Sequence, residues 1–349
     1  MSQTKKIVSM LSSFDLFSGA ALGIVPIKRP TEFFFSGCTS REKTCPINKD
    51  SVFDLASLTK PILLATPLAV IWKNIQSEMF EEIDTKPYSA KTWPGLTMDM
   101  ILRHSAGFDA WRDLQEFFRS LHGQKQEHAD LSILSTLLDI GPSYSVGQKT
   151  VYSDLGCIFL ESYLRLAKGI DLPSIFKAKI QPLLKRQKFF FDPKSHVPLE
   201  ALVHYDGAQP MEPGEVHDDN ARSMGRVSVH AGLFSTLETL CEFAGLWLEA
   251  GLKGNVLGQK EELAPFFVSK NGLRPWVWDI PSGESTAGSI SSQSIGHLGY
   301  TGTSLWIDVE RQCAVVLLTN RVHMETSKQR FNEFRRELHN VVWDYVDSM

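Results

Sequence analysis

Residues 53–72 read FDLASLTKPILLATPLAVIW and join a Ser-x-x-Lys sequence to a long apolar segment. Proline is tolerated only in the first turn of a helix, so Pro61 predicts a buried helix that begins near residues 56–58. Residues three positions apart share one face of a helix, which brings Lys60 over Ser57. Two interpretations stay open on this stretch alone. Either Ser57 caps a core helix while Lys60 extends into solvent, or the two side chains are a nucleophile and its base.

The size and charge of the chain limit what it can be. It has 349 residues, more than the ~250–300 at which one hydrophobic core usually stops growing, so two lobes are expected. Hydrophobic residues make up 43% and charged residues 22%, and the net charge is −4, which is ordinary for a globular protein. The sequence contains no Lys/Arg-rich run and no apolar stretch of the ~18 residues that a membrane span needs. We therefore expect neither nucleic acid nor membrane as a partner.

Two features bear on the compartment. Lys5 and Lys6 precede a moderately apolar run, but Asp15 interrupts it, and GAALGIV (residues 19–25) fits a first strand better than a signal peptide. The cysteines at positions 38, 45, 157, 241 and 313 are odd in number and lack C-x-x-C spacing, which favours reduced thiols. We expect a cytoplasmic protein. A periplasmic or secreted location is the alternative if the N-terminus is a signal peptide, and a Cys38–Cys45 disulfide would then be possible.

Strand patterns lie near both ends of the chain, and helical patterns lie between them. Four segments have strand composition: residues 19–25, 32–38, 303–309 and 313–320. Apolar residues recur at helical spacing over residues 331–345, which predicts a closing helix with one face against a sheet. Residues 76–200 are largely helical in pattern. Within them, residues 97–108 predict a helix that starts at Thr97 and ends just before Gly107, and residues 201–232 predict a long loop.

These patterns predict an α/β fold of the α+β type. An antiparallel sheet is built from N- and C-terminal segments and flanked by helices, with a mainly helical lobe inserted between them. The predicted sheet lobe comprises residues 1–75 and 236–349, and the predicted helical lobe comprises residues 76–235. We expect the functional site at the interface of the two lobes.

Two further segments carry residues with useful chemistry. Tyr152 directly precedes a helical run, where a tyrosine near a lysine can move a proton, although half-buried core tyrosines are common. In GHLGYTGTSLWID (residues 296–308), glycines crowd the start of a strand, where the backbone must approach another group closely. His297 in that segment offers a hydrogen bond or a charge, with an ordinary surface histidine as the alternative. A third group (His204, His217, Asp218 and His230) is spaced too irregularly for zinc, so no metal site is predicted.

Three ordered motifs together resemble the serine β-lactamase and penicillin-binding-protein superfamily. They are Ser57-Leu-Thr-Lys60, Tyr152-Ser-Asp154 and His297-Leu-Gly299. The resemblance is to the class C-like branch, which contains class C β-lactamases, D,D-carboxypeptidases, D-aminopeptidases and esterases. Flanking segments such as ILRHSAGF (residues 101–108) and HAGLFST (residues 230–236) extend it over residues 19–323. It implies the β-lactamase/transpeptidase-like fold.

The resemblance also implies roles for these residues. Ser57 would be the acylated nucleophile, Lys60 would assist its deprotonation, and Tyr152 would be the partner acid and base. The backbone N–H groups of Ser57 and Tyr300 would form the oxyanion hole.

Substrate binding is implied for Asp154, His297 and Gly299, and two positions depart from the pattern of the branch. Asp154 replaces the usual asparagine, which adds negative charge and allows a pair with Lys60. Leu298 replaces a threonine whose hydroxyl can bind a substrate carboxylate. Both changes favour an ester or a small amide over a β-lactam or a D-Ala-D-Ala peptide.

The function implied is that of a serine hydrolase acting through an acyl-enzyme on a small ester or amide, with no cofactor. One alternative is a β-lactamase, D,D-carboxypeptidase or D-aminopeptidase with low lactam activity. Another is a non-catalytic binding or scaffold member. The partner in the enzymatic interpretations is a small-molecule ester, amide or lactam, and the oligomeric state stays open.

Overall fold

A computed structural model of the chain describes residues 2–40, 45–204, 211–225, 227–283, 285–324 and 327–349. Eight strands lie in these ranges: β1 (Gly19–Pro26), β2 (Glu32–Gly37), β3 (Val52–Asp54), β4 (Phe189–Phe190), β5 (Phe234–Thr236), β6 (Ile295–Leu298), β7 (Ser304–Asp308) and β8 (Cys313–Thr319). The larger sheet has the order β2-β1-β8-β7-β6, the smaller has β3-β5-β4, and all neighbours are antiparallel. The predicted antiparallel sheet made from both ends of the chain is confirmed.

The helices of the described residues follow the predicted distribution. They are α1 (Gln3–Met10), α2 (Thr66–Ile75), α3 (Met98–Leu102), α4 (Gln115–Ser120), α5 (Gln126–Ile140), α6 (Asp154–Lys168), α7 (Leu172–Ile175), α8 (Asp219–Met224), α9 (Leu237–Lys253), α10 (Ala264–Phe267) and α11 (Lys328–Asp347). Short 3₁₀ turns cover Ala56–Leu58, Gln181–Leu183, Pro193–Ser195, Leu199–Ala201 and Arg321–Met324, and π-helical turns cover Pro61–Ala65 and Phe176–Ile180.

Both faces of the larger sheet are covered, because successive side chains of a strand point to opposite faces. In β8, Val315 and Leu317 pack in the core formed with α1 and α11, whereas Val316 and Leu318 pack in the core formed with α9. Burying a side chain of this size contributes about 1.5–3 kcal/mol. The central strands are therefore apolar on both faces.

One apolar core extends across the two predicted lobes. Leu64 before α2, Phe159 on α6 and Trp247 on α9 belong to the same cluster of buried residues. The smaller sheet also joins these regions, since β3 and β4 both pair with β5. The lobe boundaries at residues 75–76 and 235–236 stay a prediction.

Two predicted segments differ in detail from the structure. The helix expected to reach Gly107 is α3, which ends at Leu102 because His104 adopts a left-handed backbone conformation with φ +55°. The loop expected over residues 201–232 contains α8, which starts where the Asp218 carboxylate accepts the Ala221 N–H at 2.8 Å. Residues 205–210 and 226 of that predicted loop lie outside the described residues.

All five cysteines are free thiols. Cys157, Cys241 and Cys313 are buried, and the alternative disulfide between Cys38 and Cys45 is not formed. No helix in the described part of the chain is long and apolar enough to cross a bilayer.

The edge strand β6 depends on a glycine, and this gives a testable prediction. A Cβ on Gly296 would lie 2.1 Å from Cε3 of the buried Trp306 ring on β7. We expect Gly296→Ala to lower the free energy of unfolding by about 1–3 kcal/mol, measured by chemical denaturation. Gly283→Ala is the matched control, because Gly283 is exposed with open space around its Cα, and it should change stability by less than about 1 kcal/mol. Equal effects of the two substitutions would contradict this account of β6.

Candidate active site

The segment that carries Ser57 is held in a strained turn by a buried carboxylate. Ala56 has φ +48°, a left-handed conformation that costs a residue with a side chain about 1–2 kcal/mol. The Asp54 carboxylate compensates by accepting the Ala56 N–H at 2.7 Å and the His217 N–H at 2.8 Å. Burial raises the pKa of Asp54 to about 6. Ser57 follows this turn and is half-buried.

Lys60 is fully buried, and each of its three ammonium protons has an acceptor. Its Nζ atom donates to Ser57 Oγ at 3.1 Å, to Asp154 Oδ1 at 2.5 Å and to the backbone oxygen of His230 at 2.8 Å. Ser-x-x-Lys therefore brings the two side chains together as predicted, with Lys60 in the interior and not in solvent. The capping interpretation with an exposed lysine is wrong.

The charge of Lys60 is maintained by Asp154. Burial alone would lower the pKa of Lys60, but the groups around it, with the Asp154 carboxylate contributing most, together outweigh burial, and the pKa of Lys60 lies above its ordinary value. Lys60 is therefore an ammonium group at neutral pH. The ion pair that the aspartate makes possible is formed.

Tyr152 completes the group around Lys60. The Lys60 Nζ atom lies 4.9 Å from the centre of the Tyr152 ring. The phenolic oxygen is buried and makes no hydrogen bond of normal geometry within the described residues. Burial raises the pKa of Tyr152, and this effect exceeds the opposing effect of Lys60. Tyr152 is a phenol at neutral pH and can donate a proton.

A second set of polar residues holds the backbone oxygen that contacts Lys60. His230 is fully buried, with Nδ1 2.6 Å from Ser228 Oγ and Nε2 3.2 Å from Asp218 Oδ1. Ser228 Oγ also donates to Glu161 Oε2 at 3.1 Å. Although burial opposes it, the hydrogen bond from His230 lowers the pKa of Asp218.

This arrangement gives two of the candidate metal ligands, Asp218 and His230, another partner. Asp218 and His230 pair with each other, and the His217 backbone N–H donates to Asp54. Within the described ranges, no three His, Cys, Asp or Glu side chains come together as a metal site would require. The sequence did not predict that the backbone oxygen of His230 contacts Lys60.

Threonine hydroxyls next to the third motif donate hydrogen bonds to the backbone of the Ser57 segment. In the turn between β6 and β7, Thr301 Oγ1 donates to the backbone oxygen of Asp54 at 2.9 Å, and Thr303 Oγ1 donates to that of Leu55 at 3.2 Å. A Cβ on Gly299 would lie 2.7 Å from the same Leu55 oxygen, so the close approach requires glycine. Its predicted role in substrate binding stays a prediction.

Tyr300 projects at the outer side of this turn. Its ring is 62% exposed and lies 4.8 Å from the Arg321 guanidinium and 5.3 Å from the His217 ring. Arg321 also donates twice to the Tyr300 backbone oxygen, at 2.8 and 3.1 Å. The backbone hydrogen bonds of the described residues include none donated by the N–H of Ser57 or Tyr300. Their assignment to an oxyanion hole stays a prediction.

His297 is a neutral side chain in this site. Its Nδ1 atom lies 2.9 Å from the Leu298 backbone oxygen, which can only accept, so Nδ1 carries the proton and Nε2 is an acceptor. Burial, reinforced by Lys60, lowers the pKa of His297 to about 3. His297 lies beside Tyr152, with ring centres 5.7 Å apart, but offers no positive charge at neutral pH. Ser57, Tyr152 and Asp154 thus surround the Lys60 ammonium, and His297 lies beside Tyr152.

Comparison with known proteins gives the family. The family model described as Beta-lactamase matches residues 16–340. A protein of Salmonella heidelberg (strain SL476), provisionally named a D-alanyl-D-alanine carboxypeptidase, is 27% identical over 336 residues, which cover 85% of this chain and 76% of that protein.

Solved structures of similar fold cover almost the whole chain. EstCE1, described as a hydrolase with promiscuous acyltransferase activity, has a TM-score of 0.70 at 18% identity and covers 97% of this chain and 98% of its own. The D-amino acid amidase of Ochrobactrum anthropi SV3, in complex with D-phenylalanine, has a TM-score of 0.70 at 16% identity and covers 98% of this chain and 99% of its own. Because the family model covers nearly the whole sequence, this protein belongs to the Beta-lactamase family and is a hydrolase of that family.

Proposed function

We propose that this protein is a serine hydrolase that acts through an acyl-enzyme on small neutral esters, or on small amides. The observation that carries the proposal is the contact of 3.1 Å between the buried Lys60 ammonium and Ser57 Oγ. A pure binding protein gains nothing from a buried cation at this position, because removing a charge from water costs several kcal/mol before pairing. This argues against a non-catalytic scaffold.

In the acylation step, Ser57 Oγ attacks the carbonyl carbon of the substrate. The hydroxyl proton passes to Lys60 while a Lys60 proton passes to Asp154, the carboxylate in contact at 2.5 Å. The N–H groups of Ser57 and Tyr300 hold the developing oxyanion. Asp154 acts here as the counter-ion and as a transient proton acceptor, a role additional to the substrate binding implied by the resemblance.

Tyr152 supplies the proton that the leaving group needs. Its raised pKa keeps it a phenol, so it donates to the departing alkoxide or amine and becomes a phenolate beside the Lys60 ammonium. The proton held on Asp154 then returns through Lys60 to Tyr152. Water attacks the acyl-enzyme by the reverse sequence of proton transfers, which releases the acid and restores Ser57.

The charges of the site favour neutral substrates. Asp154 adds a negative charge, neutral His297 offers no cation, and Leu298 offers no hydroxyl to a substrate carboxylate. The proposal is supported by fold similarity to EstCE1 and to a D-amino acid amidase. A second candidate is a D,D-carboxypeptidase or β-lactamase with low lactam activity, which the names of the curated relatives favour.

Ser57 should form the covalent intermediate. Intact-mass spectrometry after treatment with a fluorophosphonate is expected to show one adduct on the wild type and none on Ser57→Ala. Thr59→Ala is a control, since Thr59 lies in the same turn with its hydroxyl bonded to the Ala56 backbone oxygen at 2.7 Å, and it should keep the adduct. An adduct that persists in Ser57→Ala would refute the assignment of the nucleophile.

Asp154→Asn should make stability depend on pH. In the wild type, folding raises the pKa of Lys60 above its value of 10.5 in the unfolded chain. The charged Lys60 therefore stabilises the folded protein at every pH below 10.5, and this stabilisation is lost only as pH rises through the pKa of the folded state. In the variant, burial leaves the folded pKa below the unfolded value, so stability is lost as pH falls through the folded pKa. We expect a loss of about 3–5 kcal/mol at pH 6, smaller at pH 9, measured by chemical denaturation.

Asp50→Asn is the matched control for that substitution. Asp50 pairs with Lys188 at 2.8 Å, but both side chains are largely exposed, so its removal should cost less than about 1 kcal/mol at either pH. A loss in Asp154→Asn that is the same at pH 6 and pH 9 would show that Asp154 does not control the charge of Lys60.

Neutral short-chain esters should be hydrolysed well ahead of carboxylate-bearing β-lactams. Because Asp154 already neutralises Lys60, a substrate carboxylate would enter a partly dry cleft without a cation to pair with, which can cost several kcal/mol and therefore several decades in kcat/KM. The measurement is kcat/KM for p-nitrophenyl butyrate beside nitrocefin, on the wild type and on Asp154→Asn combined with Leu298→Thr. The double substitution should reduce the ratio of kcat/KM for p-nitrophenyl butyrate to kcat/KM for nitrocefin, whereas Leu298→Ala should leave that ratio unchanged. If kcat/KM of the wild type is higher for nitrocefin than for p-nitrophenyl butyrate, the β-lactamase candidate replaces this proposal.

A further inference from the structure

His104 occupies a backbone position that normally requires glycine. The Ser105 N–H donates to the Met100 oxygen at 2.8 Å, and the His104 N–H donates to the Ile101 oxygen at 2.9 Å. These two bonds are the Schellman arrangement at the end of α3, in which the residue after the C-cap is left-handed and is usually glycine. His104 fills that place with φ +55°.

The contacts of the His104 side chain and backbone offset the cost of this position, about 1–2 kcal/mol. The His104 Nδ1 atom accepts the Ser153 N–H at 3.2 Å, and the His104 backbone oxygen accepts the Val151 N–H at 2.8 Å. One residue therefore bonds to the chain on both sides of Tyr152. Its ring also packs on the Tyr152 ring, with centres 4.8 Å apart.

The hydrogen bonds fix the protonation of His104. Because the Ser153 N–H donates to Nδ1, that nitrogen carries no proton, and the proton of the neutral imidazole is on Nε2. His104 is buried, and burial, reinforced by the positive charges of Arg274 and Lys60, lowers its pKa well below the ordinary value. A neutral ring also avoids placing a second cation beside the Lys60 ammonium.

Tyr152 depends on such support. Its hydroxyl makes no hydrogen bond of normal geometry within the described residues, so hydrogen bonding of the phenol does not set the position of the ring. The main chain on the far side of the motif is fixed separately, since the Asp154 N–H donates to the Ala110 oxygen at 3.0 Å. The His297 ring lies beside the Tyr152 ring at 5.7 Å, and the contacts of Val151 and Ser153 with His104 hold the backbone on both sides of Tyr152.

We propose that His104 is a positioning residue that holds the Tyr152 phenol over Lys60 by bonding the backbone on both sides of it. The inference rests on the proposed function only for what Tyr152 does once it is in place. Loss of the Nδ1 acceptor lets residues 151–153 shift, and a small misplacement of a proton donor lowers the rate of the chemical step far more than it lowers substrate binding.

The test compares two substitutions at His104 that both suit a left-handed backbone. His104→Asn keeps an acceptor oxygen near the position of Nδ1, whereas His104→Gly removes the acceptor. We expect kcat for ethyl butyrate, whose alkoxide leaving group needs a proton, to fall by about 10–100-fold in His104→Gly with KM within about threefold. His104→Asn should stay within about threefold of the wild type. For p-nitrophenyl butyrate, whose leaving group needs no proton, the loss of kcat/KM in His104→Gly should be smaller, because kcat/KM reports acylation and not the shared deacylation step.

Gln312→Gly is the matched control, because Gln312 has a left-handed backbone (φ +54°) in the turn between β7 and β8, away from Tyr152. It should leave both rates unchanged. Wild-type rates for ethyl butyrate in His104→Gly, or equal losses in His104→Asn and His104→Gly, would overturn the proposal. Thermal unfolding confirms that each variant is folded before its rates are compared.

A measurement without activity separates this inference from the proposed function. In the wild type, ¹⁵N NMR of the His104 ring should show the neutral tautomer with the proton on Nε2 from pH 5 to pH 8. The Ser153 amide should exchange with solvent faster in His104→Gly than in His104→Asn. An imidazolium, or a proton on Nδ1, overturns the inference even if the enzyme hydrolyses esters. If the NMR and exchange results are as expected but the protein hydrolyses none of the esters, the proposed function is refuted. The inference that His104 positions Tyr152 then still holds.

Discussion

The buried Lys60 ammonium is the constraint on which the rest of the site depends. An isolated buried charge is costly, and it persists only where its partners are supplied by the fold. Here the three acceptors come from separate parts of the chain: the Ser57 turn, the start of α6 at Asp154, and the backbone of His230. Removing one partner of a buried ion pair costs about 3–5 kcal/mol. The fold is therefore stable only when all three segments place their acceptors around Lys60.

Hydrogen bonds between side chains and the backbone hold the Ser57 turn and the start of α6 in place. Asp54 stabilises the strained turn before Ser57, and the threonines of the turn between β6 and β7 bond to the backbone of the same segment. At the start of α6, Ser153 Oγ accepts the Gly156 N–H as a helix cap and donates to the Asp109 oxygen. Each of these hydrogen bonds joins one polar side chain to the main chain, so these segments depend on a few specific residues.

The electrostatic character of the site follows from the same ion pair. With Asp154 neutralising Lys60, Tyr152 has no need to ionise as the counter-ion, and burial keeps it a phenol. His297 is held neutral by burial and by the nearby ammonium. The site therefore has little net charge, although it contains one fully buried cation.

The sequence by itself determined the features that depend on local geometry. The i, i+3 spacing placed Lys60 beside Ser57, residue composition marked the strands near both ends of the chain, and Pro61 marked the start of the helical segment. The ordered motifs were sufficient to identify the family. These properties follow from backbone dihedrals and side-chain periodicity, which are determined by residues close together in the sequence.

Only the tertiary structure decided which distant groups meet. Lys60 and Asp154 are 94 residues apart, and Lys60 and the His230 oxygen are 170 apart, so no local pattern indicates their contact. Asp218 and His230 were weighed as metal ligands because their chemistry alone allows it, and packing pairs them with each other instead. His104 stands where the sequence predicted a continuing helix, and its role beside Tyr152 exists only because α3 packs against the start of α6. Long-range contacts are fixed by how whole elements pack, and that information is not contained in any short stretch of the chain.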